Sequence, residues 1–485
     1  MLGQSRRFAL TGLWIVLALA TALRFYGLDI QSLWLDELAT WAISNYPTLG
    51  EAIQQGVRSD VHPPAYQILI FWVERHVGET EKALRLPSAV AGVAAVVMIY
   101  LVGVRLYAWR EGLLAAALLA VSWTPVYYSQ EARPYAFLLL FSLVTFYFWY
   151  PIWRIRERDA SIPLGTQLAY GVFALLTCYL HYFGLLLVVL QAAALGARFF
   201  RAPRHLLAIG ALYGFVLVGY APWLPILLEH SRATGTWIQE PNLESISRYW
   251  EFLFKRPGSL GRVVVALYVI FGVRTLRSAR GKPARDLWRD FLASPAFVLL
   301  LWLVVPFALV YLKSRVSLPL LTDRNLIISL PAAYLLLARS VFGAFHGHVA
   351  RAVAAGALVL CSLWGLIVPG RYYTEPHKEQ LREAARYVAT REAGQSDAAI
   401  VGYPAAFNYY LEREGNSRRL DFAYAAGSDG GDLALFLARA RPQRVWLLAA
   451  HLKPTPAMLS RLEERYRQIG FERFNHAWVR RYEAR

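Results

Sequence analysis

Cysteine is nearly absent from this sequence: there are two in 485 residues. Cys178 and Cys361 each lie inside an apolar run, which excludes a disulfide framework or a thiolate metal site and leaves them as packing residues. Charge is scarce too. Asp, Glu, Lys and Arg make up 17% of the chain, against roughly 25% in soluble domains. With 57% hydrophobic residues, a soluble globular protein is excluded. Acidic residues are outnumbered, 33 against 51 basic ones, for a formal net charge of +18. No zinc-finger spacing, basic helix or RNA-binding signature accompanies that charge, so nucleic acid is not the expected partner. Internal repeats, low-complexity linkers and Asn-x-Ser/Thr sites are also missing, and the lack of such sites suits a bacterial inner membrane.

What the chain does have is apolar segments of about 15 to 25 residues separated by short basic loops, the pattern of membrane-spanning helices. Its 16 tryptophans and 28 tyrosines suit two membrane–water interfaces. About eleven spans are expected, near 8–27, 83–104, 112–127, 134–153, 165–180, 183–199, 206–228, 260–274, 292–312, 322–338 and 350–369. Ser5-Arg6-Arg7 precedes the first. Arg24 breaks the small-residue pattern of a cleavage site, so this run is expected to stay as an uncleaved helix. The apolar stretch 165–199 exceeds one span and is interrupted by His181-Tyr182-Phe183-Gly184, which predicts two helices joined by a tight turn.

The basic loops orient the bundle. Arg105 and Arg110 follow the second span. Arg154, Arg156 and Arg158 follow the fourth, and Arg198, Arg201 and Arg204 the sixth. Arg274, Arg277, Arg280, Lys282, Arg285 and Arg289 follow the eighth, and Arg339 and Arg351 flank the loop after the tenth. A cytoplasmic N-terminus puts all of these inside, as the positive-inside rule requires. The apolar stretch 64–77 is too short to span and would reverse that parity, so an interfacial helix is expected there. Residues 1–369 then form an all-α polytopic bundle with a first outer loop at 28–82. Residues 370–485 form a small extracytoplasmic α/β domain, with helices near 377–393 and 456–468 and strand-like runs at 399–403 and 444–448.

Ionisable residues at a membrane edge are costly and mark candidate sites. Asp36 and Glu37 lie in Trp34-Leu35-Asp36-Glu37-Leu38, just past the first span. Such a pair offers a general base or a divalent-metal ligand, or else a helix cap or ion pair. Asp60-Val61-His62-Pro63-Pro64 holds an acid and an imidazole two residues apart before a proline-stiffened helix start. Gln130-Glu131-Ala132-Arg133-Pro134-Tyr135 places Arg133, a bidentate phosphate binder, beside Glu131. A local Glu–Arg pair is the plainer alternative for it. Asp323-Arg324-Asn325 opens the tenth span, with Arg324 either clamping an anion or snorkelling. His181 sits in the turn at 181–184. All the main clusters fall on the outer side.

In these residues the sequence resembles the GT-C class of membrane glycosyltransferases, in particular the group of the protein O-mannosyltransferases and the 4-amino-arabinose lipid A transferases. Trp34-Leu35-Asp36-Glu37, Asp60-Val61-His62-Pro63-Pro64, Leu84-Arg85-Leu86-Pro87-Ser88 and Gln130-Glu131-Ala132-Arg133-Pro134-Tyr135 carry the likeness in that order. The resemblance implies a GT-C fold and a polyprenyl-phosphate-linked sugar donor, with membrane lipid as surroundings. It implies that Asp36 is the catalytic acidic residue of the first outer loop, read here as the general base, with Glu37 beside it as helper or metal ligand. It is read as an inverting transfer to a lipid, polysaccharide or protein acceptor on the outer face of the inner membrane. His62, Arg133 and Arg324 are expected at the donor phosphate, and Asp60, Glu131 and His181 at the acceptor or a metal. A divalent cation is an option without diagnostic ligand spacing. Two other classes stay open: a transporter or lipid flippase, whose usual mid-bilayer charges and inverted repeats are not evident, and an enzyme like the O-antigen polymerases and ligases.

Overall fold

The computed structural model describes residues 2–155, 163–232, 238–255, 258–278, 283–391, 398–416 and 418–485. Arg156, Arg158, Arg280 and Lys282 of the basic loops lie outside the described residues, as does the end of the helix expected over 377–393. The chain is predominantly helical, with one small sheet near its C-terminus. It divides into two compact units. The first takes residues 1–26, 46–72 and 85–371, and the second residues 27–45, 73–84 and 372–485.

In the first unit the apolar runs are helices because backbone groups in hydrocarbon must be satisfied within the segment. Among the described residues, eight helices are long and apolar enough to cross a membrane, or nine if a pair bent by 61° counts as one. That pair is Trp109–Val121 with Trp123–Ser129. Leu164–Leu180 and Val263–Arg274 are shorter apolar helices. Every expected span thus coincides with a helix. The stretch 165–199 is indeed two helices. His181, in extended conformation at φ −163°, separates Leu180 from Tyr182. Gly184 lets the second helix approach the first, since a Cβ there would lie 2.3 Å from the Thr177 carbonyl oxygen. The stretch 64–77 is the helix Ala65–His76. At 12 residues it is about 18 Å long, short of the roughly 30 Å hydrocarbon core.

The bend at 122 has a cause and a remedy. Pro125 has no N–H to offer the Val121 carbonyl, and the 61° bend at Ser122 ends the helix, so that the carbonyls of the last turn of Trp109–Val121 need other donors. Arg24, fully buried, supplies them. Its guanidinium donates to the carbonyls of Leu119 and Ala120 at 2.9 Å each and, through Nε, to the Ser129 hydroxyl at 3.1 Å. The residue that spoils a cleavage site in the sequence therefore closes a broken span. Gly92 makes room for it. A Cβ at that position would lie 2.0 Å from Ser129 Oγ and 2.9 Å from Arg24 Nε. Gly92→Ala is expected to displace this buried charged hydrogen bond, a loss of about 1.5–3 kcal/mol, seen as a lower melting temperature of the solubilised protein.

The second unit carries a five-stranded sheet, with β1 (Ala398–Tyr403), β2 (Phe422–Ala423), β3 (Arg444–Ala450), β4 (Tyr466–Phe474) and β5 (Ala477–Ala484) in the order β2-β1-β3-β5-β4. β1 runs parallel to β2 and β3, and β5 is antiparallel to β3 and β4. One face packs Val401, Val445 and Leu447 against Leu433 and Leu437 of the helix Gly431–Ala440 and against Met458 and Leu462 of the helix Pro456–Glu463. On the other face Trp446 meets Tyr387 of the helix Leu381–Arg391, ring centroids 6.1 Å apart. The helix expected over 456–468 stops at Glu463, and Tyr466 opens β4. The β4–β5 hairpin turns through Asn475-His476, with His476 at φ +52°, and its pairing outweighs the helical pattern of the preceding residues.

Candidate functional site

In the first unit the Asp60–His62 pair comes between a short helical turn ending at Ser59 and the helix from Ala65. Pro63 and Pro64 remove two backbone donors and hold the entry extended. His62 Nδ1 lies 3.3 Å from Asp60 Oδ2, and the Gln67 side chain, one turn into the helix, donates to the same oxygen at 2.7 Å. Arg133 Nη2 lies 3.3 Å from the same Nδ1 and 3.4 Å from Nε2 of His62, close to both ring nitrogens. Both His62 and Arg133 are buried. Arg133 is seated by its backbone: the Ser88 hydroxyl donates to its carbonyl at 3.3 Å and lies 3.0 Å from the Tyr66 hydroxyl. Thus the separate sequence pieces around positions 62, 88 and 133 form one cluster.

His181 joins it, with its ring centroid 5.1 Å from that of His62 and 5.8 Å from that of Tyr135. The Arg324 guanidinium lies 5.8 Å from the Tyr135 ring, so Tyr135 is flanked by His181 and Arg324. Asp323 and Arg324 begin a 3₁₀ turn that runs into the helix Leu330–Ala344. Glu131 is fully buried two residues from Arg133.

Electrostatics set the protonation of these groups. Burial first, then the Arg133 charge, pushes the His62 imidazole below its ordinary range, against the pull of Asp60. Burial alone would raise the Asp60 carboxyl, but the hydrogen bond and charge of His62 and the charge of Arg133 outweigh it and hold Asp60 low. His181 lies well below the usual histidine range, from burial first and then from His62, Arg133 and Arg324. Its tautomer follows from the backbone. The Phe183 N–H donates to His181 Nδ1 at 3.0 Å, so in the neutral ring the proton is on Nε2. That buried Nε2–H has no acceptor among the described residues. The cluster therefore offers an N–H donor and two guanidinium groups beside two carboxylates, Asp60, engaged by His62 and Gln67, and the buried Glu131. Its chemistry suits an anion. Among the described residues no group of three or more His, Cys, Asp or Glu side chains converges as a metal site.

Asp36 and Glu37 belong to the second unit. They occupy the first turn of the helix Leu35–Ser44, where carboxylates stabilise the helix N-terminus. Glu37 is wholly buried. Its Oε2 accepts from Lys378 Nζ at 3.1 Å and from the Trp34 backbone N–H at 3.4 Å. Asp36 is half-buried. The Leu35 N–H donates to Glu379 Oε2 at 3.1 Å, and Glu379 Oε1 lies 3.2 Å from His451 Nδ1. Burial raises the Glu379 carboxyl, the Leu35 N–H and His451 partly offset this, and the charge of Asp36 raises it further. The Gln31 side chain accepts from the backbone N–H groups of His377 and Lys378 at 2.9 and 3.0 Å. The first-loop carboxylates are thus built into the same unit as the sheet.

Sequence reasoning did not single out Gln67, Lys378, Glu379 or His451. Gln67 had a local signal, two turns from Asp60 along a helix start. Lys378 and Glu379 had none, being more than 340 residues from Glu37 and Leu35.

Residues 61–225, about a third of the chain, match the family described as dolichyl-phosphate-mannose-protein mannosyltransferase. No curated protein matches the sequence. Among solved structures, the oligosaccharyltransferase of Archaeoglobus fulgidus, tethered with an acceptor peptide, is similar at 13% identity over 96% of this chain and 72% of that one, with a TM-score of 0.51. ArnT from Cupriavidus metallidurans aligns at 12% identity over 98% of both chains, with a TM-score of 0.47. The Pmt1-Pmt2 protein O-mannosyltransferase of S. cerevisiae aligns at 19% identity over 46% of this chain and 33% of that one, with a TM-score of 0.35. The chain thus shares a mannosyltransferase-like segment over residues 61–225 and the fold of an oligosaccharyltransferase.

Proposed function

We propose that the protein transfers a sugar, with inversion, from a polyprenyl-phosphate donor to an acceptor hydroxyl or amine at the outer face of the inner membrane. The buried His181 Nε2–H, beside His62 and Arg133, carries the phosphate assignment. A donor with no acceptor in an apolar setting costs free energy until an oxygen reaches it. His181 therefore hydrogen-bonds a phosphate oxygen, and Arg133 and Arg324 balance its charge. His62, fixed by Asp60, orients Arg133.

Asp36 is the general base. The acceptor's proton passes to its carboxylate as the acceptor oxygen or nitrogen attacks the anomeric carbon. The bond from that carbon to the phosphate oxygen breaks and its electron pair stays on the polyprenyl phosphate. Glu37, neutralised by Lys378, positions Asp36. The basic loops support the orientation, with a cytoplasmic N-terminus and the chemistry outside.

The test is binding and turnover of a labelled polyprenyl-phosphate-linked sugar by the full chain. His181→Phe is expected to weaken donor binding about tenfold, the loss of one charge-assisted hydrogen bond, with a folded protein whose melting temperature falls modestly because the Phe183 N–H loses its cap. Because the donor phosphodiester does not titrate and His181 is held well below the ordinary histidine range, the His181 contact is expected to give affinity no rise as pH falls from about 8 to about 6. Cationic histidines would instead make it rise through about pH 6.5. Equal binding of the free polyprenol and the phosphate-linked sugar, or no sugar release from any such donor, overturns the assignment.

A further inference from the structure

A second cavity in the first unit lies apart from the cluster around Arg133. It is a groove of about 600 Å³ walled by the helices Leu2–Phe25, Trp109–Val121, Leu330–Ala344 and His348–Ile367. Its walls are apolar, with Val16, Leu113, Val359 and Leu360 among them. At one end stand Trp109 and Arg110, which open one helix, and His348 and Arg351, which open another. Arg110 is exposed and lies 5.3 Å from the Trp109 ring. Arg351 is anchored at the mouth by donating from Nε to the Phe345 carbonyl at 2.9 Å.

The charge at that end has one sign. The four helices contain a single carboxylate, Glu111, and it is buried in an ion pair with Arg339 at 3.2 Å. Nothing acidic on the walls therefore competes for Arg110 and Arg351. Tryptophan and arginine at the end of apolar helices mark headgroup depth. Gly356 faces open space, with nothing within 4 Å of where its Cβ would be.

We propose that this groove is a binding site for one anionic phospholipid, its acyl chain lying against the apolar walls and its phosphate between Arg110 and Arg351. An apolar trough with a two-arginine mouth complements such a lipid in both hydrophobicity and charge. The site is independent of sugar transfer, and it explains why both loops are basic at the groove and nowhere acidic.

The experiment uses the full chain, delipidated and then labelled with a photoactivatable phosphatidylglycerol, with unlabelled phosphatidylglycerol or phosphatidylcholine as competitor. Crosslinks are expected on the helices Trp109–Val121 and His348–Ile367, and phosphatidylglycerol is expected to compete at least about tenfold better than phosphatidylcholine. Combining Arg110→Gln with Arg351→Gln is expected to remove that preference. Gly356→Leu fills the groove and raises helix propensity, so both lipids are expected to bind at least about tenfold more weakly with no loss of thermal stability. Equal competition by the two lipids in the wild type overturns the proposal. So does crosslinking of Gly356→Leu at the wild-type level, which would mean a headgroup adsorbed outside the groove.

Discussion

Asp36→Asn is expected to lower sugar transfer by about 10²- to 10⁴-fold, the usual contribution of a general base, while donor binding and folding persist. The substitution keeps the side chain's shape and removes its capacity to take the acceptor's proton. It also leaves untouched the buried pair next door, Glu37 with Lys378 at 3.1 Å. Single-turnover release of sugar from a labelled polyprenyl-phosphate donor separates the two effects: the chemical step should slow and the donor affinity should not change. Transfer at the wild-type rate by a folded Asp36→Asn protein would remove Asp36 as the base. Glu379 is then the residue to examine, since its carboxyl is raised and it already feels the charge of Asp36.

Lys378→Met is expected to destabilise the second unit by about 3–5 kcal/mol, because it leaves the Glu37 carboxylate buried without its counter-charge. The side chains of Lys378 and Glu37 are 3% and 0% exposed, so water cannot take the lysine's place. Pairing Lys378→Met with Glu37→Leu removes both charges and is expected to recover most of the stability, as replacement of buried ion pairs by apolar residues often does. Transfer should remain impaired in the double variant, because Glu37 also accepts the Trp34 N–H that opens the helix bearing Asp36. Chemical denaturation followed by tryptophan fluorescence gives the stabilities. Recovery of activity together with stability would reduce Glu37 to a charge partner only.

The helices were legible because hydrocarbon solvation is a local property: a run of apolar residues must become a helix wherever it crosses lipid. The break at His181 was legible for the same reason, since the apolar stretch was too long for one span. The break at Ser122 was not anticipated, although Pro125 announces it, because the run stays apolar across the bend. The hairpin of β4 and β5 was missed because the helical pattern beginning at Pro456 overlaps its start and only the pairing of Tyr466 with Ala484 on β5 decides where β4 begins.

The candidate site divides in the same way. Asp36, Glu37, Asp60, His62, Arg133 and Arg324 stood out as ionisable residues in apolar surroundings, and that cost is visible one residue at a time. What each is bonded to depends on residues distant in the chain. That Glu37 pairs with Lys378, that Arg24 closes the broken span at Leu119 and Ala120, and that His181 points an N–H where no acceptor lies among the described residues were settled only by tertiary structure. Composition and hydropathy by themselves determined a polytopic helical protein with carboxylates beside its first span, because burial energies add along the chain. The partners of those charges were decided by packing, because a hydrogen bond or ion pair requires angstrom-scale proximity that no spacing in sequence prescribes.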